Sequence, residues 1–219
     1  FWGNSECFFY FYIMLKGFFR SKTYTKFHPK MSKKYLIVGL GNIGVDYINT
    51  RHNIGFNIIN HFVKTYDIQF ETRKLGSLAN YKLKGRTFLL LKPNTFMNLS
   101  GKSVKYWLEK EKIPISNLLI VTDDINIPFG TLRLKAKGSD GGHNGLKDIQ
   151  DKLKTNSYNR LRFGIGDEFT KGRQVDYVLG QWKPEELAKL GERLEISSKA
   201  LVSFVMSGMN LSLIHISEP

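Results

Sequence analysis

Apolar positions along this chain switch repeatedly between short unbroken runs and a helical spacing. Tyr35–Leu40 is a continuous apolar run closed by glycines, the pattern of a strand buried on both faces. Asn53–Tyr66 then carries Ile54, Ile58, Ile59 and Phe62 at helical spacing. Leu78–Leu83 and Thr87–Leu91 flank Lys84-Gly85-Arg86 and read as a strand pair. Asn98–Lys112 is helical, with Val104, Leu108 and its aromatics on one side. Leu118–Val121 is another apolar strand and runs into Thr122-Asp123-Asp124. Thr131–Ala136 alternates as a half-buried strand does. A glycine loop follows, then a helix over His143–Leu153 and a strand over Leu161–Ile165. Pro184 opens a last long helix, about Glu185 to Ser207, because a first helical position has no use for the N–H that proline lacks.

Strands that alternate with helices predict an α/β fold. The expectation is a single-domain three-layer α/β/α arrangement around a twisted, mostly parallel mixed sheet. Sites in such sheets lie beyond the carboxyl ends of the strands. Asn42, Asp123 and the loop holding His143 all fall there, and Pro93-Asn94 leads from a strand end to Asn98.

Composition narrows the chemistry. The 219 residues suit one domain, and Cys7 is the only cysteine, so neither a disulfide framework nor a thiolate metal site is available. The five histidines are scattered without metal-ligand spacing, which argues against a structural zinc. The formal charge is +14. Residues 1–30 hold a surplus of four of those charges, and ten remain on the rest of the chain. A spread excess of that size points to a polyanionic partner, a nucleic acid held through its phosphates.

Both ends look foreign to the domain. Residues 1–30 are rich in Phe and Tyr, and their apolar run Cys7–Leu15 is too short to span a bilayer. They read as a non-native or disordered extension ahead of an initiator at Met31, with an organellar targeting segment as the alternative. Residues 211–219 read as a non-native tail, leaving 31–210 as the domain proper.

Gly39-Leu40-Gly41-Asn42-Ile43-Gly44 matches the dinucleotide fingerprint, but its context does not. A helix should start inside the motif, and here the helical pattern starts only near Asn53. The glycines are better explained by a tight turn at the rim of the sheet.

Four polar clusters remain: Thr50-Arg51-His52-Asn53, Phe96-Met97-Asn98, Asp123-Asp124 and Gly141-Gly142-His143-Asn144-Gly145. Histidine titrates near neutrality, so His52 can take a proton from water. Asp123 could accept the other ring N–H and fix the tautomer. Asn42 and Asn98 both donate and accept, which suits them to hold a carbonyl or a ribose hydroxyl. His143 and Asn144 sit at a predicted helix N-terminus, whose free amides attract phosphate or carboxylate. Arg133, Lys135, Lys137, Arg160 and Arg162 lie close by in sequence. No G-x-S-x-G elbow competes as a nucleophile. What remains is base-activated water attacking an acyl centre.

These clusters, in this order, resemble bacterial-type peptidyl-tRNA hydrolase from about Lys34 to Gly208. The matching blocks are Ile37–Asn42, Tyr47 with Thr50–Asn53, Lys92–Gly101, Asp123-Asp124, Gly141–Asp148, Arg160–Gly166 and Val175–Leu179. The resemblance implies a cytoplasmic monomer, without cofactor, metal, membrane attachment or obligate protein partner. It would cleave the ester between peptide and tRNA in peptidyl-tRNA and release both. By motif position His52 would be the base and Asp123 its orienting partner. Asn42 would place substrate or water, and Asn98 the peptide main chain with Met97 beside it. Tyr47 would stack on the terminal base. His143 and Asn144 would line the peptide and tRNA cleft, and Lys135 and Arg162 would contact phosphate. The chain departs from the family pattern at Ile43, where a proline is usual, at Asn126, where an acid is common, at Asp140 in the glycine loop, and after Asn210. Two other classes stand beside this reading: a non-hydrolysing RNA-binding relative, and a nicotinamide-dependent oxidoreductase.

Overall fold

The computed structural model describes residues 33–216, with side chains as far as Gly208. The expectation for residues 1–30 therefore lies outside the described residues. Of the 211–219 segment, only the backbone to Ile216 is described.

Seven strands form one sheet: β1 (Lys34–Gly39), β2 (Glu71–Arg73), β3 (Gly76–Leu83), β4 (Arg86–Pro93), β5 (Leu118–Asp124), β6 (Leu132–Lys135) and β7 (Asn159–Gly164). Their spatial order is β2-β3-β4-β1-β5-β7-β6. The pairs β4·β1, β1·β5 and β5·β7 are parallel. The pairs β2·β3, β3·β4 and β6·β7 are antiparallel. The sheet is thus parallel through its centre and antiparallel at both edges. Successive side chains of a strand face opposite ways, and each central strand feeds two cores. Ile37, Leu119 and Val121 pack on one side with Ile58 and Phe62 of helix α1 (Ile54–Thr65) and with Leu201 and Phe204 of α5 (Pro184–Ile216). Leu36, Val38, Leu118 and Ile120 pack on the other with Val104 and Trp107 of α2 (Ser100–Lys110) and with Leu146 and Ile149 of α3 (Asn144–Leu153). Two helical layers around one sheet make the expected α/β/α sandwich.

Three details differ from the sequence pattern. β5 runs on through Thr122, Asp123 and Asp124 because β7 keeps pairing with it, Thr122 opposite Arg162 and Asp124 opposite Gly164. The strand β2 is fully exposed and held only by its pairing with β3, so no apolar pattern announced it. Helix α4 (Gln174–Val178) is one short turn with no buried residue. In α5, Pro184 is the first residue as expected, and Gly208 (φ 74°, ψ −176°) interrupts the helical backbone one residue past the expected end.

The glycines after β1 bring α1 against the end of the sheet. A Cβ on Gly39 would stand 2.3 Å from the Gly55 carbonyl oxygen, and one on Gly55 would stand 2.5 Å from the Leu40 nitrogen. Only glycine at both positions permits this approach. The helix begins at Ile54, after a 3-10 turn over Arg51–Asn53. Gly39 and Gly41 therefore serve packing, Gly44 takes a positive φ of 111° in the turn, and no α-helix N-terminus lies inside the motif.

Candidate active site

His52 sits in that 3-10 turn, which is tied down on two sides. On one side Thr50 pairs with Gln181, and the Arg51 amide donates to the Gly180 carbonyl at 3.1 Å. The buried Arg51 guanidinium donates to Glu186 at 2.7 Å and to the Gln181 carbonyl at 2.7 Å. It lies 4.4 Å over the Tyr177 ring. On the other side Asn53 clasps the main chain of Asn42, accepting from its amide at 2.7 Å and donating to its carbonyl at 3.0 Å. His52 is thereby held between the carboxyl end of β1 and the segment that opens α5.

The His52 Nδ1 atom lies 2.9 and 3.0 Å from the two carboxylate oxygens of Asp123. An ionised carboxylate only accepts, so Nδ1 carries the proton, and neutral His52 keeps a lone pair on Nε2. Asp123 also receives a second imidazole. His143 Nε2 lies 3.0 Å from Asp123 Oδ1 and 2.8 Å from Thr122 Oγ1. His143 Nδ1 in turn accepts from the amides of Gly145 and Leu146, at 3.1 and 3.3 Å, and so caps α3. The two rings stand 4.8 Å apart, centroid to centroid.

This arrangement shifts both partners. Burial opposes the charged form of His52, but the Asp123 charge and hydrogen bond outweigh it and raise its pKa above the ordinary value. Burial likewise opposes the Asp123 carboxylate. Its interactions and hydrogen bonds with His52 and His143 outweigh that cost and hold it well below the usual carboxylate range.

A cleft of about 370 Å³ opens over these groups, and His52, Asp123, His143, Asn144, Lys135 and Arg162 all line it. Arg162 shares its guanidinium with Asp124, whereas Lys135 is exposed on the edge strand β6. Asn42 lines a neighbouring groove of about 480 Å³ together with Asn53. Its side-chain oxygen accepts from the Met97 amide at 2.8 Å, which joins the end of β1 to the 3-10 turn Met97–Leu99. Met97 is buried against α3, where a Cβ on Gly145 would stand 2.7 Å from its sulfur. Asn98, next along the turn, is exposed, and Tyr47 is half-buried in the turn Val45–Tyr47. Six of the ten expected site residues thus share one cleft. Asn42 and Met97 form a buried strut beside it.

The chain matches the family model described as peptidyl-tRNA hydrolase over residues 36–218. It belongs to the peptidyl-tRNA hydrolase family. The match continues past Gly208, where the sequence resemblance was placed to end. A peptidyl-tRNA hydrolase of Parabacteroides distasonis is 54% identical over 180 residues, 82% of this chain and 96% of that protein. One from Clostridium beijerinckii is 39% identical over the same share of this chain and 93% of its own. The crystal structure of peptidyl-tRNA hydrolase from Acinetobacter baumannii superposes with a TM-score of 0.79 at 33% identity, covering 85% of this chain and 95% of that one.

Within this family fold two expectations change. The first amides of α3 were expected to attract phosphate, but those of Gly145 and Leu146 already donate to the His143 ring. Asp123 was expected to hold one histidine and holds two. Arg51, Asn53, Thr122 and Glu186 support the site without having been singled out. The first two lie inside the polar cluster that flagged His52, so their place was visible and their partners were not. Glu186 has a local partner in the Lys183 amide, which donates to it at 2.6 Å at the start of α5, but its pairing with Arg51, far along the chain, left no trace in the local sequence.

His52, Asp123 and His143 also offer ligand atoms within 4.8 Å of one another, the one such group among the described residues. The hydrogen bonds argue against a metal there. A metal needs unprotonated nitrogens, yet His52 Nδ1 and His143 Nε2 point their protons at Asp123, and His143 Nδ1 is taken by the cap. Asp124 closes a turn, accepting from the Asn126 amide at 2.9 Å. Asp140 likewise closes the glycine loop by accepting from the Gly142 amide.

Proposed function

We propose that this chain hydrolyses peptidyl-tRNA, releasing peptide and free tRNA, with His52 as the base that activates water. The observation that carries the reading is the His52–Asp123 pair. Asp123 fixes the proton on Nδ1 and leaves Nε2 of a cleft-lining residue as the acceptor. Water gives a proton to Nε2 while its oxygen bonds to the ester carbonyl carbon. The tetrahedral intermediate then expels the ribose oxygen, which recovers a proton from the imidazolium. Asp123 stabilises that imidazolium without itself becoming protonated.

The remaining roles are of one piece with this. Asn42 and Asn98 position the substrate from the turns beside the cleft, with Met97 packed behind them. Tyr47 stacks on the terminal base, and Asn144 borders the peptide. Lys135 and Arg162 meet phosphate, with Arg162 weakened by its bond to Asp124. No step needs a cofactor. A monomer suffices, because all these residues come from one chain, and the cytoplasm is where such a substrate arises. No described helix is long and apolar enough to cross a membrane.

Turnover separates this reading from the RNA-binding relative. With N-acetylaminoacyl-tRNA in excess and chelator present, the wild-type protein should release many equivalents of N-acetyl amino acid and leave a tRNA that can be charged again. Tight binding without release would favour the binder. Stability provides a check on the oxidoreductase: nicotinamide cofactors should leave the melting temperature where it is.

A further inference from the structure

We propose that His143 is a positioning residue that presses the Asp123 carboxylate against His52, its own ring locked by the backbone of α3, and not a contact for the peptide. The inference deepens the hydrolase reading and rests on it for the catalytic consequence.

The ring has no freedom to do otherwise. Two amide N–H groups, of Gly145 and Leu146, donate to its Nδ1. An amide cannot donate to a protonated nitrogen, so neutral His143 must carry its proton on Nε2. That proton points at Asp123 Oδ1, and Thr122 Oγ1 lies on the same side. The Thr122 hydroxyl in turn donates to the Asp123 carbonyl at 3.3 Å. Both ring nitrogens are therefore used up inside the protein. The side chain is only 9% exposed, and neither nitrogen is left to bind a peptide carbonyl or amide. The Asp123 side chain is 3% exposed, and His52 and His143 approach it together. With one imidazole removed, the carboxylate could swing toward the space that ring leaves and loosen its grip on His52.

Other charges face the same cleft. Asp124 is bound to Arg162. Lys135, Lys137, Arg160 and Asp140 line the walls. Arg160 is occupied by the carbonyls of Gly138, Ser139 and Asn156. The described hydrogen bonds and ion pairs give Asp123 no lysine or arginine partner, so the two histidines hold it.

The two functions of His143 can be separated by substitution. His143→Asn keeps an oxygen near the Nδ1 position and so keeps a helix cap, but it is too short to reach Asp123. His143→Gln carries an amide donor near the Nε2 position but supplies no comparable cap. The expectation is a double dissociation. His143→Asn should fold with a nearly unchanged Tm, and its kcat should fall about ten-fold or more at unchanged KM, the scale of one charge-assisted hydrogen bond. His143→Gln should keep most of kcat and lose about 2–4 °C in Tm, the scale of one lost cap.

Nitrogen-15 NMR of the imidazoles in the free protein provides a readout independent of turnover. Wild-type His143 should show the Nε2–H tautomer, and the His52 titration should move downward in His143→Asn, where the loosened Asp123 carboxylate supports the imidazolium less and burial still opposes it. The inference is overturned by the Nδ1–H tautomer, by a His52 titration that ignores the substitution, or by a rise in KM at constant kcat. That last result would make His143 a peptide contact. Should the wild-type protein fail to turn over, the hydrolase reading falls while the tautomer and titration still decide the positioning geometry. If His143→Asn fails to fold, the wild-type tautomer alone decides.

Discussion

A base works only while it is unprotonated, and for His52 that condition has a direction. Asp123 raises the His52 pKa above its ordinary value despite burial. Activity should therefore be full at alkaline pH and fall as pH drops through the raised pKa, at a higher pH than a free imidazole would give. Asp123→Asn removes the charge and leaves burial, which acts the other way, so the acid limb should move to lower pH. The same change permits the wrong tautomer, and the plateau rate should fall about 10²–10⁴-fold, in the range of a disabled general base. A pH profile of kcat/KM for the two proteins checks both signs. Much of this was legible in the sequence, since a histidine in a polar cluster and an aspartate at a strand end suggested their pairing. What could not be read was the second imidazole on Asp123. It depends on where a glycine loop of positive-φ residues Gly141 and Gly142 delivers His143, a matter of backbone path and not of side-chain pattern.

At the scale of elements, the site depends on how α1 is seated on β1 and how its first turn is clasped. Gly39→Ala would thrust a Cβ to within 2.3 Å of the Gly55 carbonyl oxygen. Forcing the helix off the strand should cost about 1–3 kcal/mol in urea unfolding, the usual scale of overpacking. The buried Arg51–Glu186 pair, with side-chain exposures of 5% and 10%, holds the other side of the turn. Glu186→Ala leaves a buried guanidinium without its carboxylate and should cost about 3–5 kcal/mol. In the folded fraction it should also lower kcat, because His52 follows Arg51 directly. Most strands and helices were apparent from their periods. The exceptions have two causes. β2 and α4 are too short and too exposed to carry an apolar pattern, and the extension of β5 through two aspartates follows from pairing with β7, which overrides the poor strand preference of aspartate.

For the whole molecule, the dominant quantity is charge. The positive excess is spread over the chain, and it should draw a polyanion with an affinity that falls steeply with salt. Its cations are not equivalent, however. Lys135 is exposed at the rim of the cleft, whereas Arg162 is bound to Asp124. Lys135→Ala should weaken tRNA binding and lower the slope of log K against log salt by about one. Arg162→Ala should lower it less, since that charge is partly neutralised already. Salt titrations of tRNA binding by the two variants decide the ranking. Composition could announce a polyanion, but two basic residues near one loop look alike in sequence until their partners are known.

The most direct test of the central claim is single-turnover cleavage of N-acetylaminoacyl-tRNA by His52→Ala, with tRNA binding measured on the same preparation. If His52 is the base, cleavage falls about 10²–10⁴-fold while the dissociation constant stays close to that of the wild type. Cleavage near the wild-type rate by the folded variant would contradict the role of His52 and the mechanism built on it.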